Sequence, residues 1–415
     1  MFAPNMPAGT GGQRLPGWTN TLVRQARKAR VAAVAALSLL AAACSVIPGA
    51  DYFGFGTQPP PPPSAQPTQV GAGQVKVGLI LPLSASGNGA AVAASMRNAA
   101  EMALAEFSNP NIQLLVKDDG GSGAGAQQAA QQAIDEGAEI ILGPLFAVSV
   151  SSAAQVARAR GVPVIAFSTD STVAAPGVYL LSFLPESDVD RVIRYALQQG
   201  KRSFAALIPD NAYGSVVQAA FQQIASQGGG RVAAMERYPL DRSLMVEPVR
   251  RVAAAARQID SIFIPDGADS VVTAVQTLAA NGVSPRRTQL MGTGLWDDPR
   301  IFSEPNAQGG WFAAPDPAGF RAFSGRYRSR YGQDPLRAAT LSYDAVSLVA
   351  ALVKTQGPAR FSEQVLTNPS GFAGIDGVFR FRQDGTNQRG LAVMRVTTSG
   401  PQVISPAPKA FASGT

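Results

Sequence analysis

An apolar run, Val75-Lys76-Val77-Gly78-Leu79-Ile80-Leu81, is closed by Pro82, which has no N–H to offer a next ladder bond. A small, Gly/Ser-rich loop follows, Leu83-Ser84-Ala85-Ser86-Gly87-Asn88-Gly89. Residues 90–107 then place Ala94, Ala99, Met102, Ala103 and Phe107 near helical spacing. The unit is a buried strand, a polar loop at its carboxyl end, and a helix. In open α/β sheets that carboxyl edge is where ligands sit.

Most of the later chain repeats this unit. Ile112-Gln113-Leu114-Leu115-Val116-Lys117-Asp118-Asp119 reads as a strand into a turn, 127–136 as a helix, and 138–142 as a third strand. A helix over 149–159 and a strand over 162–167 follow. A second series takes strands near 178–183, 204–209, 232–238 and 261–265, with helices over 188–199, 216–225 and 270–280. Short β-α-β spacing implies parallel sheets with helices on both faces and right-handed crossovers. So many parallel strands favour two cores over one long sheet. The expected fold class is therefore α/β, with two doubly wound parallel-sheet lobes. Ile208-Pro209-Asp210 and Ile264-Pro265-Asp266 end two strands alike. Beyond residue 316 the pattern changes to helices over 320–331 and 341–354. A β-hairpin is expected from 377–382, the turn Asp384-Gly385 and 391–396.

What is missing bounds the chemistry. The 415 residues include no histidine, which removes Ser-His-Asp and Cys-His catalysis, His-ligated zinc and histidine proton shuttles. The one cysteine, Cys44, can form neither an internal disulfide nor a cysteine metal cluster. No cofactor and no metal site is expected. A hydrolase would need a carboxylate pair, and Asp118-Asp119 and Asp297-Asp298 are chain neighbours, which tend to point apart. Of the net charge of +7, the five basic residues within 1–43 carry +5, which leaves +2 for the rest. No basic stripe survives to recruit nucleic acid.

The amino-terminal region reads as an address. Arg24, Arg27, Lys28 and Arg30 precede an apolar stretch over 31–43. It is too short to span a bilayer and suits a secretory signal. It ends in Leu40-Ala41-Ala42-Ala43-Cys44, which resembles a bacterial lipobox, although Ala41 stands where leucine is usual. The resemblance implies that Cys44 is lipidated and becomes the mature amino terminus, and the other reading is an ordinary signal with an incidental cysteine. Residues 45–73 carry the run Pro59-Pro60-Pro61-Pro62-Pro63 and read as an extended linker. At ~3.1 Å per residue its reach is about 80–90 Å.

From Val75 to Val396 the chain resembles the type 1 periplasmic-binding-protein family, in the leucine/isoleucine/valine-binding branch. The match rests on Gly78-Leu79-Ile80-Leu81-Pro82-Leu83-Ser84, Asp118-Asp119, Gly143-Pro144, Pro163-Val164-Ile165 with Ser168-Thr169, and Asp210-Asn211-Ala212-Tyr213-Gly214, in that order. Gly292-Thr293-Gly294-Leu295-Trp296-Asp297 and Gly374-Ile375-Asp376-Gly377-Val378-Phe379-Arg380-Phe381 look like the penicillin-binding-protein activators. The resemblance implies two interleaved lobes, 75–184 with 316–369 and 185–315 with 370–398, and a tail over 399–415. A small amino-acid-like ligand would lie between the lobes.

The resemblance places Ser168 and Thr169 on the amino-acid head of such a ligand, Tyr213 over it, and Trp296 and Asp297 near its amino group. Ser84 and Ser149 fall near carboxylate-binding loops. Each has a structural reading too: Ser168-Thr169 as turn caps, Tyr213 as a plug, Trp296 as a core ring. Phe146-Ala147-Val148 is apolar where amino-acid binders usually show serines. The expected function is a non-catalytic, lipid-anchored binding protein of the periplasm, held at a bacterial membrane. Ser45 after the cysteine favours the outer membrane in lipoproteins of this type. The first expectation is a regulator whose partner is a peptidoglycan synthase. The alternative is an amino-acid receptor for an ABC permease.

Overall fold

The computed structural model describes residues 68–239 and 241–411. Cys44, the signal segment and the proline run lie outside them.

The first lobe is built on a sheet of β1 (Gln69–Val70), β2 (Val75–Leu81), β3 (Ile112–Asp118), β4 (Ala138–Leu142), β5 (Val164–Ala166) and β6 (Val178–Leu180). Their spatial order is β1-β3-β2-β4-β5-β6, all parallel except β1. Helices α1 (Gly89–Glu106), α2 (Gly123–Asp135) and α3 (Ala147–Ala159) form the crossovers. Alternation along β2 sends Val77, Leu79 and Leu81 into one core and Ile80 into the other. Both faces are covered, which is why the strand reads as a continuous apolar run.

The second lobe follows through α4 (Pro185–Gln198), β7 (Ser203–Pro209), α5 (Ala212–Gln227), β8 (Arg231–Tyr238), α6 (Val246–Ala254), β9 (Ser261–Phe263), α7 (Ala268–Ala280), β10 (Gln289–Gly292), α8 (Pro299–Phe302) and β11 (Trp311–Ala314). Phe204, Ala206 and Ile208 of β7 enter the core under α4 and α5, while Ala205 and Leu207 enter that under α6 and α7. The chain then returns to the first lobe with α9 (Pro317–Tyr331), α10 (Ala339–Thr355) and α11 (Glu363–Leu366). Leu341, Val346 and Val349 of α10 join the core that holds Val92 and Met96 of α1.

Four expectations need correction. The strand over 377–381 pairs not with 391–396 but with a shorter strand over the Asp384-Gly385 turn. β12 (Phe372–Gly374), β13 (Gly377–Phe381) and β14 (Asn387–Arg389) form an antiparallel sheet, with Phe379 opposite Arg389 and Phe381 opposite Asn387. This sheet belongs to the first lobe, although residues from 370 on were expected in the second. Phe379 and Phe381 are buried in the first lobe's core, and Phe381 lies 5.4 Å from the Tyr179 ring. The chain therefore changes lobe near Gly390. β15 (Ala392–Thr397) then pairs antiparallel with β11, and β16 (Gly400–Ser405), within the stretch expected as a tail outside both lobes, pairs with β15. The second sheet thus has the order β16-β15-β11-β10-β9-β7-β8. Finally, the linker ends early. Gln69 and Val70 pair with Leu115 and Leu114 as an added edge strand.

Candidate functional site

The two sheet orders fix where a ligand cleft belongs. β2 lies between β3 and β4, and β7 lies between β8 and β9, so the topology switches at their carboxyl ends. The loops after β2, β3, β4 and β5 form one face. The loops after β7, β9 and β10 form the other.

On the first face, Asp118 and Asp119 do point apart. Asp118 Oδ1 accepts from the backbone N–H of Ser84 (3.1 Å) and of Gly120 (2.9 Å), which fastens the loop after β2 to that after β3. Burial opposes its ionisation, but the bonds from Ser84, Gly120 and Leu83 outweigh it and hold its pKa below the usual value. Asp119 turns inward and is 1% exposed. Burial pushes its carboxyl up, against hydrogen bonds from Gly121 and Ser149, and Asp118 adds to the rise. Ser149 serves this interior. It is fully buried, and its Oγ donates to the Ser122 carbonyl (3.3 Å). Its expected place at a carboxylate-binding loop is therefore corrected: its hydroxyl is used inside the first lobe. Ser84 is exposed at the mouth.

Phe146 covers the same loops. Its ring lies over Gly89 and Gly121, where a Cβ would come within 3.3 and 3.2 Å of it. Val148, at the start of α3, is exposed. This part of the face is apolar, as Phe146-Ala147-Val148 suggests. Ser168 is 4% exposed, and its Oγ accepts from the Asp170 N–H (3.1 Å), a turn cap. Thr169 beside it is half-buried. Ser171 Oγ, in the same loop, donates to Glu186 Oε1 (2.7 Å) in the first turn of α4, which ties the lobes together beside the first crossing.

On the second face, Tyr213 stands at the amino end of α5. Asn211 caps that helix by accepting from the Gly214 N–H (2.7 Å). Gly214 is required here, because a Cβ would run into the Pro209 carbonyl. The half-buried Tyr213 hydroxyl shares a 2.9 Å hydrogen bond with Thr293 Oγ1. Burial holds its phenol proton on, against that bond, and the charges of Asp188, Asp266 and Glu186 reinforce it. Asp188, 5% exposed, accepts from the Gly294 N–H (2.9 Å). Burial pushes its carboxyl up to about 7; the Gly294 bond and Arg389 oppose this and Glu186 adds to it.

Trp296 and Asp297 separate. Trp296 is fully buried in the core under α6 and α7, and its Nε1 donates to the Ile264 carbonyl (2.9 Å). A Cβ at Gly292 would overlap the indole. Its expected place in the cleft is corrected: it is a core ring. Asp297, the next residue, is exposed. Its carboxylate meets solvent within walls of protein; that enclosure pushes its pKa up, Arg337 of the first lobe opposes the rise, and Asp298 adds to it.

Arg337 is the group the sequence did not announce. It enters from the loop before α10 and forms a two-pronged pair with the fully buried Asp376 (2.9 and 2.5 Å). Its guanidinium is sandwiched between Phe183 (4.6 Å) and Phe320 (4.5 Å). Phe183, on the first crossing, also carries Arg389 at 4.6 Å. Ser168 and Thr169 thus follow the carboxyl end of β5, Tyr213 that of β7 and Asp297 that of β10; Ser84 is exposed after β2, and Ser149 and Trp296 are buried within the lobes. These strand ends carry hydroxyls, an exposed carboxylate and an apolar edge at Phe146, chemistry that suits binding of a small polar molecule.

Residues 74–401 match the family model described as periplasmic binding protein. Among solved structures, a putative branched-chain amino acid ABC transporter protein from Rhodospirillum rubrum is similar, with 19% identity and a TM-score of 0.70, covering 80% of this chain and 99% of that one. A leucine-bound ABC transporter substrate-binding protein from Desulfitobacterium hafniense has 18% identity and a TM-score of 0.58, covering 80% and 99%. A solute binding protein of an ABC transporter from Rhodopseudomonas palustris BisB5, in complex with 3,4-dihydroxybenzoic acid, has 21% identity and a TM-score of 0.58, covering 80% and 96%. No curated protein matches. The two doubly wound lobes, their crossings and the family match lead to one statement: the chain belongs to the periplasmic binding protein family and has its type 1 fold.

Proposed function

We propose that the protein is a non-catalytic solute receptor that closes its two lobes on a small carboxylate-bearing ligand and presents the closed form to an ABC permease. The observation that carries this is the pair of faces: Ser168 and Thr169 on one lobe, Tyr213, Thr293 and Asp297 on the other, at switch points joined by three crossings. Hinged lobes of this kind trap what both faces bind. The similar solved structures include one bound to leucine and one bound to a dihydroxybenzoic acid. The Phe146 edge favours an apolar or aromatic body on the ligand.

The synthase-regulator reading drops to second place. Its activator-like segments are spent on the fold: Trp296, Phe379 and Asp376 are all fully buried. The exposed Val148 beside Phe146 is one apolar contact it could use. A melting-curve panel of amino acids and benzoates separates the two. At a hundredfold excess over its dissociation constant, the true ligand raises stability by about 2.7 kcal/mol. An unmoved panel, together with binding and stimulation of a purified peptidoglycan synthase, would restore the regulator.

We also propose that Cys44 is lipidated and tethers the protein to a bacterial membrane, with the outer membrane favoured. In cell fractionation, Cys44→Ala should shift the protein from the membrane pellet to the soluble periplasm. Full retention in the pellet would refute the anchor.

A further inference from the structure

Beyond β16, residues 406–411 leave the second lobe and return to the first. They run along one side of an open groove of about 890 Å³, whose walls are α4 and α5 of the second lobe and the β13–β14 turn of the first. On this flank the two lobes are not packed wall to wall, and the segment spans the gap beside the third crossing.

Its root belongs to the second lobe. Arg191 of α4 donates to Ser405 Oγ (2.7 Å), to the Ser405 (3.4 Å) and Pro406 (3.3 Å) carbonyls, and to the Leu391 carbonyl on the third crossing (2.7 Å). Ala407 packs against the core under α6 and α7. Its tip belongs to the first lobe. The half-buried Phe411 ring lies 4.6 Å from the Arg380 guanidinium of β13. Arg380 is itself held in place, donating to Gln388 Oε1 (2.9 Å) and to the Pro369 carbonyl (2.9 Å). The ring also presses on Gly371, where a Cβ would come within 2.9 Å of it. Between root and tip, Pro408 lies against Gly390, where a Cβ would come within 3.0 Å of the proline ring. Pro406 and Pro408 fix φ at two positions, which makes the span short and stiff.

We propose that residues 406–411 form a strap across the hinge that sets the angle between the lobes, and that rotation of one lobe against the other lifts Phe411 from its seat. A segment anchored on two bodies that turn about a hinge must stretch or let go. The prolines and the root held by Arg191 leave little to stretch. The tip is the weaker end, one ring seated on one cation and one glycine. The strap therefore biases the lobes toward the angle at which Phe411 is seated, and a ligand that favours another angle works against it. The device acts on lobe motion itself, whatever the cleft binds.

Distances between spin labels on the two lobes, read by double electron–electron resonance, test this. The full chain carries Cys44→Ala, so that Gln132→Cys on α2 and Ala280→Cys on α7, both at exposed positions, supply its only cysteines. No ligand is added, so the outcome does not depend on the receptor reading. The parent should give one narrow distance distribution. Phe411→Ala should at least double its width or add a second population, and Phe411→Tyr, which keeps the ring, should match the parent. Arg380→Gln acts from the first lobe and leaves Phe411 in the chain, and it should broaden the distribution too. A distribution that stays unchanged in both Phe411→Ala and Arg380→Gln overturns the proposal, even where the melting point falls, because the segment would then be a packed tail that does not restrain the lobes.

Discussion

Asp376→Ala should lose about 3 kcal/mol of stability, measured by urea unfolding. The carboxylate is fully buried and accepts three hydrogen bonds, two from Arg337 and one from Thr340 Oγ1 (2.6 Å). Burial alone would push its pKa up, but Arg337, Arg389 and Thr340 outweigh it and hold it below the usual carboxylate value. Truncation leaves Arg337 between two phenyl rings without its counter-charge. The low end of the range for a broken buried pair applies, because the Arg337 side chain keeps 21% exposure. A loss under about 1 kcal/mol would mean that the pair is not a structural anchor.

Its neighbour Asp344 should behave in the opposite sense. It is 3% exposed, its Oδ1 accepts from the Ile375 N–H (2.8 Å), and its Oδ2 has no partner. Burial and then the Asp376 charge push it up to about 7, against Ile375, Arg389 and Arg337. A folded-state pKa above the unfolded value means that the folded protein holds an extra proton between about pH 4 and 7. Stability therefore falls as pH rises through that window. Asp376 runs the other way, its contribution being present above the unfolded pKa near 3.8 and lost as pH falls below it. Asp344→Asn should be nearly neutral at about pH 3, below the unfolded pKa, and its gain should grow across the window to a few kcal/mol at pH 8. Asp188, also raised to about 7, keeps part of the slope in that variant. A variant no more stable than wild type at pH 8 would contradict the assignment.

The sheets were readable because their strands are buried on both faces and end in marked turns. β2 closes at Pro82, and β7 at Pro209-Asp210. Four-residue strands such as β10 and β11 are too short to show a period. The third sheet shows a different limit. Alternation in Gly377–Phe381 identifies a strand but not its lobe, which was decided by how Phe379 and Phe381 fit against Tyr179. For the cleft, strand ends placed the right loops, but side-chain direction was not legible. Ser149 lies on the inner face of α3, where Asp119 and Ser122 use its hydroxyl. Arg337 carried no local signal at all, since its partners Asp376, Phe183 and Phe320 come from three distant segments.

Trp296→Ala should cost about 3–5 kcal/mol, the range for deleting a large buried aromatic. The indole is fully buried between Gly292 and Gly310, two positions where a Cβ would strike it, so the backbone has been brought close to fit this ring. Its removal opens a cavity that neither glycine can fill. It also leaves the Ile264 carbonyl without its 2.9 Å donor, a further desolvation cost of about 1–3 kcal/mol if water does not enter. Trp296→Phe restores most of the volume but not the N–H, and should lose about 1–2 kcal/mol. The functional content lies in the comparison with Asp297. Trp296→Phe should lower the urea midpoint and leave cleft-ligand affinity within about twofold, since the ring does not reach the cleft. Asp297→Asn, at an exposed position, should leave the midpoint unmoved within about 0.5 kcal/mol and weaken a ligand that carries an ammonium group by about tenfold. If Trp296→Phe instead abolished binding in a fully folded protein, the core assignment would be wrong and the ring would belong to the ligand.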